Sequence, residues 1–418
     1  MPQFAPGHHV TLLQGTAQLF PALTQAMDGA RREICMETYI FDFSASGADV
    51  GAALARAALR GVRVQLVVDG VGTGQIPADW RERFEAAGVQ WRVFNPLGSL
   101  GMLLPSGWRR LHRKLCVIDG GTSDAVAFCG GINILDDFHD PNHGALAAPR
   151  FDFSVRVTGP LVDAVHSATG VLWQRLDAAR SLRQRELGAA VASWVSTRSV
   201  LFGKSDVFAS QPSPSESATL GTTVSRAALL LRDNVRNRKR IERAYLKAIG
   251  AARHDIIIAN AYFLPGGKLR KAIIAAAQRG VKVKLLLQGK YEYYMQYHAA
   301  RPVYSALLAA GVEIHEYAAS FLHAKVAVVD ADQPQAWATV GSSNLDPLSL
   351  LLAREANVVV QDTEFAQTLR AQLQHAMLLG GKQIDPAQYT QRSWIKRVQD
   401  QVAYIAMRCA LWITGHRY

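Results

Sequence analysis

Five stretches of this 418-residue chain occur twice, in the same order. "RREICMETYIFD" (31–42) resembles "RHDIIIANAYFL" (253–264), and "RAALRGVRVQLVVDG" (56–70) resembles "AAAQRGVKVKLLLQG" (275–289). "AAGVQWRVF" (86–94) resembles "AAGVEIHEY" (309–317), "LHRKLCVID" (111–119) resembles "LHAKVAVVD" (322–330), and "GGIN" (130–133) resembles "GSSN" (341–344). Self-similarity on this scale restricts the chain to two copies of one structural unit. The copies are offset by 223 residues from Tyr39 to Tyr262 and from Gly88 to Gly311, but by 211 from His112 to His323. The first copy therefore carries about 12 extra residues, and the Gly/Pro-rich "NPLGSLGMLLPSGW" (95–108) is the candidate insertion.

Each copy alternates strand and helix. "EICMETYIFD" is a short apolar run, "DVGAALARAALRG" has helical spacing and ends at Gly61 as a cap, and "VRVQLVVD" is a β-branched run typical of a buried strand. A second helix near 77–88 leads into "VQWRVF". The expected class is α/β: two similar halves, each a mixed sheet flanked by helices, related by a pseudo-twofold axis with one shared site. The halves are expected at 1–190 and 225–390, joined by a region at 191–224 that holds the Ser/Pro-rich "SDVFASQPSPSESATLGTT", with a tail at 391–418.

The duplicated frame H-x-K-x-x-x-x-D carries the chemistry. Residues two apart on a strand face one side, so His112 and Lys114 project together, as do His323 and Lys325. A buried ammonium needs an anion. Two such pairs converging on one pocket suit a tetrahedral phosphate, with lysines neutralising charge and histidines doing covalent and proton chemistry. Asp119 and Asp330 have the opposite strand parity; they lie past the strand end or serve structurally. Asn133 and Asn344 each follow their His by 21 residues. Small residues beside them let the backbone approach an anion, and the Asn amide can donate to a phosphate oxygen. Farther on, Asp152 and Glu355 offer a carboxylate for the second ring nitrogen of each His, which would fix its tautomer and raise its basicity.

Composition narrows the partners. Hydrophobic residues make up 49% and charged residues 19%, enough apolar matter for large cores, and the net charge of +12 favours anionic partners. The four cysteines are scattered without C-x-x-C, which argues against a zinc site or disulfide framework and for a reducing compartment. No signal peptide is expected, and no run of eighteen apolar residues is present to span a bilayer. The tail places apolar residues at 394, 398, 402, 405, 409 and 412 on one helical face, with Trp394, Trp412, Lys396, Arg397, Arg408 and Arg417 around it. Two readings stay open: insertion into an anionic membrane surface, or packing on the protein's own core. The same choice between lipid contact and plain structure attaches to Met102–Leu104, to "PLSLLLA" (347–353), to "RNRKR" (236–240), and to Tyr297, His298 and Arg301.

"HRKLCVIDG…GGIN" and "HAKVAVVD…GSSNLD" resemble the motifs of the phospholipase D superfamily. "ETYIFD", "LLRDNVRNRKRIERAYLKAI", "ANAYFLPG", "LLLQGKYEYYMQYHAAR" and "GSSNLDPLSLLLAREANVVV" are similar to bacterial cardiolipin synthases of the B type. The resemblance implies a double displacement without metal or cofactor. One His attacks a phosphodiester and becomes a phosphohistidine; the other protonates the leaving alcohol and then deprotonates the acceptor. It gives His112 the nucleophile's role and His323 that of acid and base, within a catalytic set of His112, Lys114, Asp119, His323, Lys325 and Asp330. Lys114, Lys325, Asn133 and Asn344 would hold phosphoryl oxygens; Glu355 and Asp152 would orient the histidines. The implied substrates are phosphatidylglycerol and a second phospholipid alcohol, with phosphatidylethanolamine a further candidate, at the cytoplasmic face of a bacterial inner membrane. Nucleic acid is not an expected partner. Water as acceptor would instead make the chain a phospholipase D or a nuclease, and no residue in the sequence decides between them.

Overall fold

The computed structural model describes residues 4–96, 109–140, 143–183, 225–233, 237–290, 294–346 and 353–413. Residues 97–108 of the 95–108 candidate insertion, with Met102–Leu104, the 191–224 linker, residues 347–352 and Arg417 lie outside them, as do the side chains of Tyr297, Arg408, Cys409 and Trp412.

The first half contributes β1 (Ala5–Gln14), β2 (Glu33–Thr38), β3 (Arg63–Asp69), β4 (Gln90–Phe94), the two-residue β5 (Arg110–Leu111), β6 (Lys114–Ile118), β7 (Val126–Gly130), a small pair β8 (His139–Asp140) and β9 (Gly144–Ala145), and β10 (Phe153–Thr158). The second contributes β11 (Ser225–Arg232), β12 (Asp255–Asn260), β13 (Lys282–Gln288), β14 (Glu313–Tyr317), β15 (Lys325–Val329), β16 (Trp337–Gly341), β17 (Ala353–Gln361) and β18 (Gly381–Gln383). All but β8 and β9 form one sheet, in the order β18-β14-β13-β12-β15-β16-β17-β11-β1-β10-β7-β6-β2-β3-β4, with β5 paired to β17. Apart from β18 and β5, that order reads the same from either end once each strand is exchanged for its repeat. The midline falls between β1 and β11, which pair antiparallel. β2, β3 and β4 run parallel, as do β12, β13 and β14, while β6 and β15 return antiparallel beside them. This is the mixed sheet the alternating pattern predicts.

Strand periodicity sorts the core into layers. Leu115 and Val117 of β6 face one apolar cluster, Cys116 and Ile118 the other. Helices α1 (Gly15–Asp28), α2 (Ala45–Leu59) and α3 (Ala78–Ala87) cover one side of the first half. α2 ends just before Gly61, whose φ of +89° only glycine adopts easily. On the opposite side, α4 (Leu161–Arg183) belongs to a cluster that crosses the midline and also contains Val326, Val358, Phe365 and Leu369. The repeats α5 (Arg240–Ala251), α6 (Gly267–Gln278) and α7 (Tyr294–Ala309) cover the second half, and α8 (Thr363–Gly380) joins the shared cluster. That cluster ties the halves into one body.

The tail forms α9 (Pro386–Thr390) and α10 (Trp394–Ile413). α10 lies along α7. His298 Nδ1 is 2.7 Å from buried Asp400, which also accepts from Arg392 at 2.9 Å. Arg301 is buried and paired with Glu316 of β14. His298 and Arg301 are therefore engaged in packing between elements. Arg238 and Lys239 of the basic run are exposed ahead of α5.

Candidate active site

β5 stops at Leu111 and β6 begins at Lys114, so His112 sits in the break between them rather than in a continuous strand. A second anchor holds it there. The His112 backbone N–H donates to Arg354 O at 3.0 Å, and its Nδ1 lies 3.1 Å from the Glu355 carboxylate and 3.1 Å from Ser342 O. The repeat does the same with partners exchanged: His323 N–H donates to Phe151 O at 2.9 Å, and Nδ1 is 2.6 Å from Asp152 Oδ2. Each imidazole is thus held by a carboxylate of the opposite half, and each histidine backbone N–H by the carbonyl just before that carboxylate. The side chains of both histidines are 16% and 18% exposed. Their Nδ1 atoms are engaged, and Nε2 has no protein hydrogen bond among the described residues. A carboxylate at Nδ1 keeps the proton there and leaves the Nε2 lone pair for chemistry.

Sequence order places Asp152 after His112 and Glu355 after His323; the fold crosses them. The crossing follows from the sheet. β10 and β17 are central strands on either side of β1 and β11, and the segments leading into them bridge to the other half at Phe151–Leu322 and Ala353–Arg110.

Burial governs the charges. It pushes His112 below its usual 6.5, opposed by Glu355 and reinforced by Lys114 and Lys325. His323 is pushed further down, by burial and then by Lys325 and Lys114. Burial takes Lys114 down to about 7, against the pull of Glu355. Asp152 rises to about 7, again through burial, with Lys325 and Lys114 opposing. Residues from both halves appear in each balance, so the groups share one low-dielectric pocket. Asp152 and His323 are hydrogen-bonded and titrate together. Burial disfavours charge on both, so the pair holds one proton between them at low pH and loses it on the alkaline side.

Lys114 Nζ donates to His112 O at 2.7 Å, and Lys325 Nζ donates to His323 O. An ammonium has three N–H donors, so Lys114 retains capacity for an anion. Asn133 accepts from Ile40 N–H at 3.2 Å through its carbonyl oxygen, which leaves its NH2 to donate. Asn344 is buried at the same point of the second half.

Two expectations need correction. Asp119 and Asp330 are not with the histidines. They close the far ends of β6 and β15, seven residues away, roughly 20 Å at strand rise. Asp119, at φ +53°, accepts from the N–H groups of Arg31, Arg32 and Glu33 at 2.9, 2.7 and 3.0 Å. Asp330 does the same for Arg253, His254 and Asp255 at 2.9, 2.8 and 3.1 Å. These carboxylates staple the start of β2 and β12; the opposite strand parity already pointed away from the pocket. Nor do the glycines chiefly serve an anion. A Cβ on Gly131 would lie 2.4 Å from Asp152 Oδ1, and one on Gly130 2.2 Å from Ser154 Oγ. Their smallness makes room for β10 and the carboxylate it carries.

Other members carried weaker signals. Ser342 stands where the first half has Gly131, and its hydroxyl donates to Glu355 Oε2 at 2.5 Å. Asp69 accepts from Leu111 N–H at 2.7 Å, and Gln288 from Leu322 N–H at 3.3 Å. Both are the polar residue closing matched apolar strands, a signal visible in the repeat. Among the described residues one three-ligand cluster, Glu33, Cys35 and His166, has atoms close enough for a metal. It lies at the Asp119 end of β2, where His166 and Glu33 already form a 2.7 Å ion pair.

The family model described as "Cardiolipin synthase, PLD-like domain" matches the chain twice, over residues 23–147 and 245–377. "Cardiolipin synthase B" of Escherichia coli K12 is 34% identical, over 98% of this chain and 91% of that protein. "Probable cardiolipin synthase YwiE" of Bacillus subtilis is 27% identical, over 94% and 71%. Among solved structures, phosphatidylserine synthase of Haemophilus influenzae superposes with a TM-score of 0.65 at 12% identity, over 99% of this chain and 96% of that one. Polyphosphate kinase of Porphyromonas gingivalis superposes with a TM-score of 0.56 at 14% identity, over 90% and 49%. At these identities the structures speak for the fold alone.

Proposed function

Because the chain belongs to the cardiolipin synthase family of phospholipase D-like proteins and is a phosphatidyltransferase of that type, we propose that it joins two phospholipids through a phosphohistidine on His112. The observation that carries this reading is the crossed pair of carboxylate–histidine contacts beside two lysines. His112 Nε2 attacks the phosphorus of phosphatidylglycerol. The P–O bond to glycerol breaks, and the departing oxygen takes a proton from the His323 side. A second phospholipid alcohol then gives its hydroxyl proton back to His323 while its oxygen attacks phosphorus, and the P–N bond breaks. Lys114, Lys325, Asn133 and Asn344 offset the charge on the phosphoryl oxygens. Glu355 and Asp152 engage Nδ1 of the two rings and so turn each Nε2 to the reacting phosphate.

Product analysis tests the reaction. Purified protein incubated with phosphatidylglycerol vesicles should yield cardiolipin and glycerol in equal amounts by mass spectrometry. Phosphatidic acid as the sole lipid product would replace transfer with hydrolysis.

We also place the protein on the cytoplasmic membrane face. No helix among the described residues is long and apolar enough to cross a bilayer. α10 supports peripheral docking: Asp400 and Ala403 are buried, while Trp394, Ile395, Val398, Val402 and Ile405 are 73%, 53%, 51%, 60% and 50% exposed. The residues of the predicted apolar face at 394, 398, 402 and 405 are thus exposed, which favours membrane contact over core packing for them, while Asp400 and Ala403 supply the packed face. Three apolar side chains entering lipid contribute roughly 1.5–3 kcal/mol each. Replacing Trp394, Val398 and Val402 with Ser together should weaken binding to anionic vesicles by roughly a hundredfold or more, measured by sedimentation, with thermal stability unchanged. Unaltered vesicle binding would remove α10 from the membrane contact.

A further inference from the structure

A reaction that joins two phospholipids must hold two phosphorus centres at once. One reacts between the histidines. The other is the acceptor's own phosphodiester, an anion that must also be desolvated near the pocket. A hydrolase needs no such second site.

We propose that the Arg232 guanidinium binds the non-reacting phosphate of the acceptor phospholipid, a reading that rests on the transferase function above. Arg232 ends β11 and is only 1% exposed. It stands directly opposite Glu355 in the antiparallel β11–β17 ladder, and opposed residues share a sheet face. It is thereby placed beside the carboxylate that holds His112. One nitrogen, Nη1, donates to Ala353 O. Nε and Nη2 are buried and make no hydrogen bond among the described residues. A guanidinium kept only to balance Glu355 would spend those donors on the carboxylate; here Glu355 Oε2 accepts from His112 and the Ser342 hydroxyl, and Oε1 accepts no hydrogen bond from the guanidinium among the described residues. Buried N–H donors left unspent are costly, and a planar fork is shaped for phosphate. Burial lowers the Arg232 pKa to about 10, opposed by Glu355, Asp346 and Asp233, so the group remains a cation at neutral pH.

The pseudo-symmetry breaks at this position. Gln14 pairs with Phe153 in β1–β10 as Leu231 pairs with Ala356 in β11–β17. The residue facing Asp152 is therefore Gly15, whose N–H donates to Asp152 O at 3.0 Å. Its φ of +67° disfavours any side chain there. At the ladder position facing the carboxylate, then, the His112–Glu355 side carries a cation and the His323–Asp152 side carries none; Arg150, which acts on His323, is tied to Asp140. We therefore place the acceptor phosphate on the His112–Glu355 side.

The test separates the two half-reactions. With phosphatidylglycerol vesicles, the pre-steady-state burst of glycerol reports phosphohistidine formation, and steady-state cardiolipin reports transfer to the acceptor. In Arg232→Met the burst should stay within about twofold, while cardiolipin formation falls about tenfold or more and its half-saturating lipid density rises, as expected for a lost charge-assisted contact. Arg232→Lys keeps a cation next to Glu355 but not the fork, and should fall between; if Arg232→Met does not fold, Arg232→Lys decides by the same comparison. A burst that declines in step with cardiolipin would overturn the proposal, since Arg232 would then act through Glu355 and His112. So would unchanged rates of both. Wild-type protein that makes no cardiolipin would instead overturn the functional reading, and this control is read first.

Discussion

His323→Ala should leave a phosphatidyl group stranded on His112, whereas His112→Ala should take up none. The two variants remove different things. Without His112 there is no nucleophile, and turnover is abolished. Without His323 the nucleophile remains, held through Nδ1 by Glu355, but both proton transfers are lost. A positioned acid or base contributes about 10²–10⁴-fold, and His323 serves one step as acid and the next as base. Turnover should therefore fall at least about a thousandfold while the adduct persists, because the acceptor hydroxyl has no base. Intact-mass measurement after an alkaline denaturing quench, which spares phosphohistidine, reads this directly. An adduct confined to His112→Ala would exchange the two roles, and near-normal turnover in either variant would sink the shared-site model.

Asp152→Asn should cost of order a thousandfold in kcat and displace the alkaline limb of the pH profile, although Asp152 lies in the half that carries His112. The analogous change in a serine-protease triad costs about 10⁴. The sign of the pH effect follows from the pair. Burial raises Asp152 to about 7 and pushes His323 down, so the proton the pair holds at lower pH is lost as pH rises. The acid is therefore present at lower pH, and kcat/KM should fall as pH rises through about 7. Lys114, also lowered to about 7, loses its charge over the same range and acts in the same direction. Asn at 152 cannot sustain an imidazolium, so the limb attributable to the pair moves to lower pH. Glu355→Gln should lower the rate through His112 and leave that limb in place. A limb that shifted with Glu355→Gln and not with Asp152→Asn would mean each carboxylate serves its own half.

Local patterns account for much of what could be read in advance. The alternation of β-branched runs with helical spacing marks β2, α2, β3, α3 and β4, because burial on both faces of a central strand demands continuous apolar residues. The repeated His and Lys positions stood out because polar side chains flanked by apolar strand have few reasons to occur twice. His298 and Arg301 were ambiguous for a complementary reason. A polar residue on a helix looks the same whether it meets solvent, a head group or, as with Asp400 and Glu316, a partner brought in from far along the chain.

By itself the sequence determined that the chain holds two copies of one α/β unit, and which histidines, lysines and asparagines occupy matching places in them. Periodicity suffices for this, since side-chain direction along a strand is a local property. Only the tertiary structure decided the partners. Glu355 serves His112, Asp152 serves His323, the motif aspartates staple the remote ends of β2 and β12, and Arg232 faces Glu355 where Gly15 faces Asp152. Each of these depends on which strands lie side by side at the β1–β11 midline. That adjacency is settled by burying the apolar faces of both halves together, and no short stretch of sequence encodes it.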